Sequence, residues 1–169
     1  MAFSGGEPLF QSGLMDAIES IKSMGFKVAL HTAGTHPERL EKLLPHLDWV
    51  GLDIKTVFEL YPHLTGIPGS GTKARESLAL LLKSGIDYEV RTTADPDLLN
   101  RRILIDLAEQ LVDAGVNRYT LQACRPVEGD YRFGRMEAFM FFHDSDLLKQ
   151  LKGMFPCFMA RHNYISSKA

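Results

Sequence analysis

The sequence is poor in cysteine: two residues, Cys124 and Cys157, in a chain of 169. Two thiols cannot make a disulfide framework, and these form no Cys-x-x-Cys pair, so the expected setting is a reducing cytoplasm. Long apolar runs are also missing. The longest, such as residues 78–82, fall far short of the ~20 residues that cross a bilayer. The opening Met-Ala-Phe-Ser-Gly-Gly has neither the charged nor the apolar region of a secretory signal. Charge of one sign is not in excess either: 19 basic and 21 acidic side chains give a net charge of −2. No broad field therefore recruits nucleic acid or an anionic membrane. The six histidines show no His-x-x-x-His spacing, which argues against a helix-borne zinc site.

What is present is 45% hydrophobic and 24% charged, the composition of a soluble globular domain. The length suits one domain but is short of the roughly 250 residues of a closed eight-stranded α/β barrel. Short apolar runs alternate with helix-period segments. Strands are predicted at residues 1–3, 26–31, 49–55, 88–93, 118–122 and 158–161. Helices are predicted over residues 9–24, from Pro37 through Leu44, through Leu78 and Leu82 to Gly85, from an Asp95-Pro96 start to Gly115, and after Asp144 or Ser145. This alternation reads as βαβ units with about five to six parallel strands. No repeat or linker divides the chain. Residues 1–130 are expected to form the core and residues 131–169 an extension of the same domain, with residues 124–143 as a loop.

Side chains alternate across a strand. In residues 49–55, Val50, Leu52 and Ile54 share one face while Gly51, Asp53 and Lys55 share the other. Likewise Glu89, Arg91 and Thr93 oppose Tyr88 and Val90, and Thr120 and Gln122 oppose Tyr119 and Leu121. A doubly wound sheet, covered on both faces, wants nearly continuous apolar strands. One polar face is better explained by a partial (β/α) barrel whose concave interior holds a ligand near the strand C-termini. An internal network, Glu89–Arg91 and Asp53–Lys55, is the alternative. The turn Ser4-Gly5-Gly6-Glu7-Pro8 joins a strand end to a helix start; it frees backbone groups for a small ligand and sets Glu7 to receive a cation or an amino group.

With the segments FSGGEP, HTAG, WVGLDIK, LTG, YEVRTT and LQ in this order, the chain resembles the radical SAM superfamily. Within it, the likeness is to glycyl-radical-enzyme activating enzymes, most closely those of anaerobic ribonucleoside-triphosphate reductase. The resemblance covers residues 1 to about 130. It implies that Ser4, Gly5, Gly6, Glu7 and Pro8 hold the amino group of S-adenosylmethionine. Thr32 and Gly34 would form the neighbouring turn, where relatives often carry Thr-Asn-Gly and this chain has Ala33. Asp53, Lys55 and Arg91 would lie near the cofactor's carboxylate and ribose. The implied partners are the reductase and a flavodoxin-like reductant.

One family feature is missing from the sequence. The resemblance implies a 4Fe–4S cluster on a Cys-x-x-x-Cys-x-x-Cys loop before the Gly-Gly-Glu-Pro turn, and this chain has no such triplet. The expectation is a core without its first strand and cluster loop, neither binding the cluster nor cleaving S-adenosylmethionine alone, and prone to self-association through an open sheet edge. Two other functions stay open: a cluster-free nucleoside-binding or reductase-docking module, and a lyase using Lys55 as a Schiff-base amine. The Walker-like Gly66–Lys73 segment has Thr and Lys in the wrong order and is read as a flexible loop. Arg125, Arg132 and Arg135 beside Tyr131 and Phe133 are read as a solvated loop rather than a nucleic-acid contact.

Overall fold

The computed structural model describes residues 1–124 and 140–162. In chain order the elements are β1 (Ala2–Phe3), α1 (Leu14–Ser23), β2 (Ala29–Thr32), α2 (Pro37–Leu43), β3 (Trp49–Asp53), α3 (Tyr61–Thr65), α4 (Ser70–Ser84), β4 (Asp87–Ala94), α5 (Arg101–Asp113), β5 (Arg118–Ala123), α6 (Met140–His143), α7 (Ser145–Met154) and β6 (Cys157–Arg161). Short 3-10 turns lie at Pro8–Phe10, Leu44–His46 and Phe58–Leu60. The fold is α/β, with six strands in the sequential order β1-β2-β3-β4-β5-β6. This sequential order is that of a (β/α) partial barrel. The residues fall into two compact units, Met1–Val90 and Arg91–Ala169.

In the first unit β1 pairs with β2 and β2 with β3, both parallel, with Leu30 opposite Val50 and His31 opposite Gly51. Leu30, Val50, Leu52 and Ile54 are fully buried with Ile18, Leu40, Leu78 and Leu81 from the helices. Each such side chain contributes about 2 kcal/mol by leaving water. The opposite faces of the same strands keep His31, Trp49 and Asp53 half-buried, as alternation predicts.

In the second unit β5 pairs in parallel with β6, with Arg118 opposite Cys157 and Gln122 opposite Arg161. Leu104, Leu107 and Leu111 bury one side of α5, and Leu147 and Leu151 one side of α7. Tyr119 packs on Phe155 with ring centroids 4.7 Å apart.

Three local expectations are corrected. Residues 9–24 are not one helix: the 3-10 turn stops at Phe10, α1 starts after Gly13, and Phe10 is 60% exposed rather than part of the core. The helix expected to open at Asp95-Pro96 begins at Arg101 instead. Asp95 uses its carboxylate on the Asp97 N–H at 2.9 Å, while the Asn100 side chain caps α5 through the Ile103 N–H at 2.9 Å. An Asx turn competes with a helix cap for the same acceptor, and here the turn takes Asp95. The segment read as a flexible loop includes the first turn of α4, from Ser70 to Lys73. Asp144 caps α7 as expected, accepting from Leu147 N–H at 2.9 Å. The arginine and aromatic positions from Arg125 to Arg135 lie outside the described residues.

Candidate functional site

Gly5 and Gly6 have φ of +91° and +54°, and a Cβ added to either would meet nothing within 4 Å. Backbone conformation, not crowding, requires glycine at both. The turn they make delivers Glu7 to the C-terminal end of β2. There the carboxylate collects donors from three places: Leu9 N–H at 3.1 Å and Thr32 Oγ1 at 2.6 Å on Oε1, and Ala33 N–H at 2.8 Å on Oε2. An ionised carboxylate offers about four acceptor positions, which leaves one on Oε2.

The Thr32-Ala33-Gly34 turn is itself anchored. Gly34 donates its N–H to Thr32 Oγ1 at 3.0 Å, and its carbonyl accepts from Ser77 Oγ of α4 at 2.7 Å. With φ at +65°, a Cβ on Gly34 would lie 2.7 Å from Ser77 Cβ and 2.9 Å from Leu52 Cδ1. The turn is thus wedged between α4 and β3. Thr32 and Gly34 are buried; they hold Glu7 in place, and it is Glu7 and the exposed Ser4–Gly6 backbone that face outward.

On β3 the polar face begins with an aromatic pair. The His31 and Trp49 rings meet edge to face at 5.2 Å, closing over Gly51, where a Cβ would lie 2.7 Å from Trp49 Cη2 and 2.8 Å from His31 Nδ1. Asp53 and Lys55 continue this face, both half-buried. The Lys55 N–H donates to the Tyr61 hydroxyl at 2.9 Å. Burial pushes the Tyr61 phenol up to about 12, with the nearby Asp53 charge acting in the same direction, so it stays neutral. The Lys55 ammonium makes no ion pair among the described residues, so the alternative Asp53–Lys55 pair does not form. Next to it the buried Thr56 hydroxyl has no hydrogen-bond partner among the described residues.

Glu7, Thr32 and Gly34 therefore belong to one hydrogen-bonded turn system, with Ser4, Gly5, Gly6 and Pro8 beside Glu7 in the chain. Asp53 follows Leu52, the register partner of Thr32, and so stands one residue beyond the point where Glu7 is anchored. Arg91 lies on β4 at the start of the second unit. In that unit Gln122 donates to Thr93 Oγ1 at 2.9 Å, joining the polar faces of β4 and β5. Sequence reasoning missed Tyr61 and Ser77, which act from helices, and Trp49. A glycine in the middle of an otherwise bulky strand was the available signal for Trp49.

The residues present do not fit the three-thiolate cluster site that the resemblance implies. There are two cysteines. Cys157 is opposite Arg118 at one end of the β5–β6 pair, and Cys124 follows the other end of β5, about 20 Å away at strand rise. Among the described residues no group of three His, Cys, Asp or Glu could hold a metal ion.

Comparison with known proteins gives concordant likenesses. The family model for the Radical SAM superfamily matches residues 1–97. A Methanocaldococcus jannaschii protein, named as a glycyl-radical enzyme activating enzyme, is 28% identical over 133 residues, 75% of this chain. The aligned stretch spans 55% of that relative, so the chain corresponds to about half of it. Among solved structures, a domain of pyruvate-formate lyase-activating enzyme from Bacteroides vulgatus superposes with a TM-score of 0.70 at 14% identity, covering 95% of this chain and 97% of that one. Streptococcus suis SuiB bound to S-adenosylmethionine superposes with a TM-score of 0.71 at 11% identity, covering 95% of this chain and 38% of SuiB. At these identities the two structures speak for the fold.

Proposed function

The chain belongs to the radical SAM superfamily, and from that premise we propose that it is the S-adenosylmethionine-binding core of a glycyl-radical-enzyme activating enzyme. Its proposed protein substrate is an anaerobic ribonucleoside-triphosphate reductase, and its electron source a flavodoxin-like protein of the same cytoplasm. One observation carries the reading: a Glu7 carboxylate fixed by three donors, with one acceptor position of Oε2 left over. An ammonium donates and never accepts, so the amino group of S-adenosylmethionine suits that position. Ser4, Gly5 and Gly6 offer exposed backbone beside it, and Pro8 starts the turn that Glu7 caps. Asp53, Lys55 and Arg91 are assigned to the carboxylate and ribose of the same ligand.

Held there, S-adenosylmethionine would supply the hydrogen-abstracting chemistry for a glycine backbone, on taking one electron from the reductant and releasing methionine as its carbon–sulfur bond breaks. The residues of this chain bind, orient and shield; none of them moves a proton in this scheme. The name of the Methanocaldococcus jannaschii relative and the LTG and VRTT segments support the activating branch. The cysteine count favours a second reading, a module that binds S-adenosylmethionine or docks on the reductase without turnover.

Calorimetric titration with S-adenosylmethionine tests the shared core of both readings. The wild-type chain is expected to bind, and Glu7→Gln to bind at least about tenfold more weakly through loss of a charge-assisted hydrogen bond. Equal binding by both proteins removes the Glu7 assignment. Iron and sulfide analysis after anaerobic reconstitution then separates the readings: a stoichiometric cluster with cofactor cleavage selects the enzyme, and none selects the module.

A further inference from the structure

A cavity of about 450 Å³ opens beside the Glu7 turn, within the first unit. Its walls come from the turn after β2, from Lys55, and from α3 and the start of α4. The volume lies in the range of pockets that hold ligands. Three features define what would fill it. First, the interior is largely apolar, and two of the chain's exposed large apolar side chains, Phe10 and Ile67, at 60% and 58% exposure, line this one cavity. Second, Lys55 and Lys73 line it while no aspartate or glutamate does, and neither ammonium has an ion-pair partner among the described residues. Third, Ala33 lines the cavity and also donates its N–H to Glu7, so an occupant rests against the backbone that positions the proposed cofactor carboxylate. His36 closes one side, its ring edge to face with Phe10 at 4.6 Å.

We propose that this cavity is the anchor for the protein substrate: it takes apolar side chains of a polypeptide segment whose flanking residues carry carboxylates. The proposal rests on the reading that the chain acts on a protein, and it adds where and by what chemistry that protein is gripped. Burying apolar side chains supplies the affinity, and Lys73, the lysine of this cavity not assigned to the cofactor, selects the charge of the flanks. A 450 Å³ space holds two or three side chains, so the anchor grips a short segment. The segment's backbone is then delivered to the C-terminal ends of β2 and β3, where Glu7 and Asp53 lie.

The probes are two synthetic peptides, acetyl-Asp-Phe-Asp-Leu-amide and its charge-reversed counterpart acetyl-Lys-Phe-Lys-Leu-amide, followed by amide NMR of the isotope-labelled chain. The acidic peptide is expected to move the Gly34, Thr65 and Lys73 amides and to bind about fivefold more tightly than the basic one. Lys73→Glu inverts that ranking, and Ile67→Asp removes binding of both. Both side chains are exposed, so the melting temperature stays that of the wild type. Equal binding of the two peptides, shifts confined to other surfaces, or no shifts overturns the proposal. So does a dimer that Ile67→Asp dissolves, since a second copy would then be the occupant. Glu7→Gln keeps the peptide signal while losing S-adenosylmethionine, so failure of the cofactor assignment is told apart from failure of the anchor.

Discussion

Glu7 shows how much one side chain can be asked to do. Its carboxylate caps the Pro8–Phe10 turn and receives the Thr32 hydroxyl and Ala33 N–H, which leaves one acceptor position on Oε2, the one proposed above for the cofactor. Ser77 works one step behind it, through the carbonyl of Gly34, 43 residues earlier in the chain. Ser77→Ala strands that buried carbonyl and is expected to cost about 1–2 kcal/mol, read as a lower urea midpoint; an unchanged midpoint means water takes over the bond. Asp48 gives a pH-dependent case. The Val28 N–H at 2.7 Å, and then Lys22 at 3.1 Å, hold its carboxyl below the ordinary 3.8. The folded chain therefore binds this proton less readily than the unfolded chain. The stabilisation is complete above about pH 4 and disappears as the pH falls below it. Thermal melts should show Asp48→Asn less stable than wild type at neutral pH, with the gap closing in acid. The glutamate of a Gly-Gly-Glu-Pro turn could be picked out from sequence, because two glycines before an acid and a proline constrain the backbone. Ser77 could not, because a serine among leucines on a helix carries no sign of the carbonyl it meets.

Among the elements, glycine separates close approach from mere tolerance. In α4, a Cβ on Gly71 would collide with the Phe58 carbonyl, so the helix sits directly on the 3-10 turn at Phe58–Leu60. Gly71→Ala must push backbone against backbone, and about 3 kcal/mol of lost stability is expected. Gly153, near the end of α7, has nothing within 4 Å of its Cβ position. Gly153→Ala is expected to gain about 0.5 kcal/mol from helix propensity. Differential scanning calorimetry of the two variants tests the contrast; shifts of the same sign would refute it. Strand positions were largely legible because alternation leaves a period-two signature, as in Trp49–Asp53 and Asp87–Ala94. Helix starts were not. Asp95-Pro96 carries the same letters as a cap followed by a first-turn proline, yet its side chain closes a local turn and Asn100 caps α5. Sequence names both acceptors, and only three-dimensional competition decides between them.

For the molecule as a whole, the edge strand sets its behaviour in solution. Among the described residues β1 stands at the end of the strand order and pairs only with β2, and Met1, Met24 and Phe26 are exposed at 69%, 65% and 57%. Unpaired edges with apolar surroundings invite strand addition. Light scattering is therefore expected to show association that grows with concentration, and a monodisperse monomer at high concentration would count against it. The fold class was readable from one-sided polarity of the strands, which a doubly wound sheet does not tolerate. The cavity beside the Glu7 turn was not, because its walls are assembled from segments far apart in the chain. The three-donor grip on Glu7 has one more consequence, for inheritance. The carboxylate ties the turn to the end of β2 whether or not a ligand arrives, so a descendant without catalysis would still gain local order from the Gly-Gly-Glu-Pro turn. The motif can thus outlive the reaction as a fossil of it, maintained by folding alone.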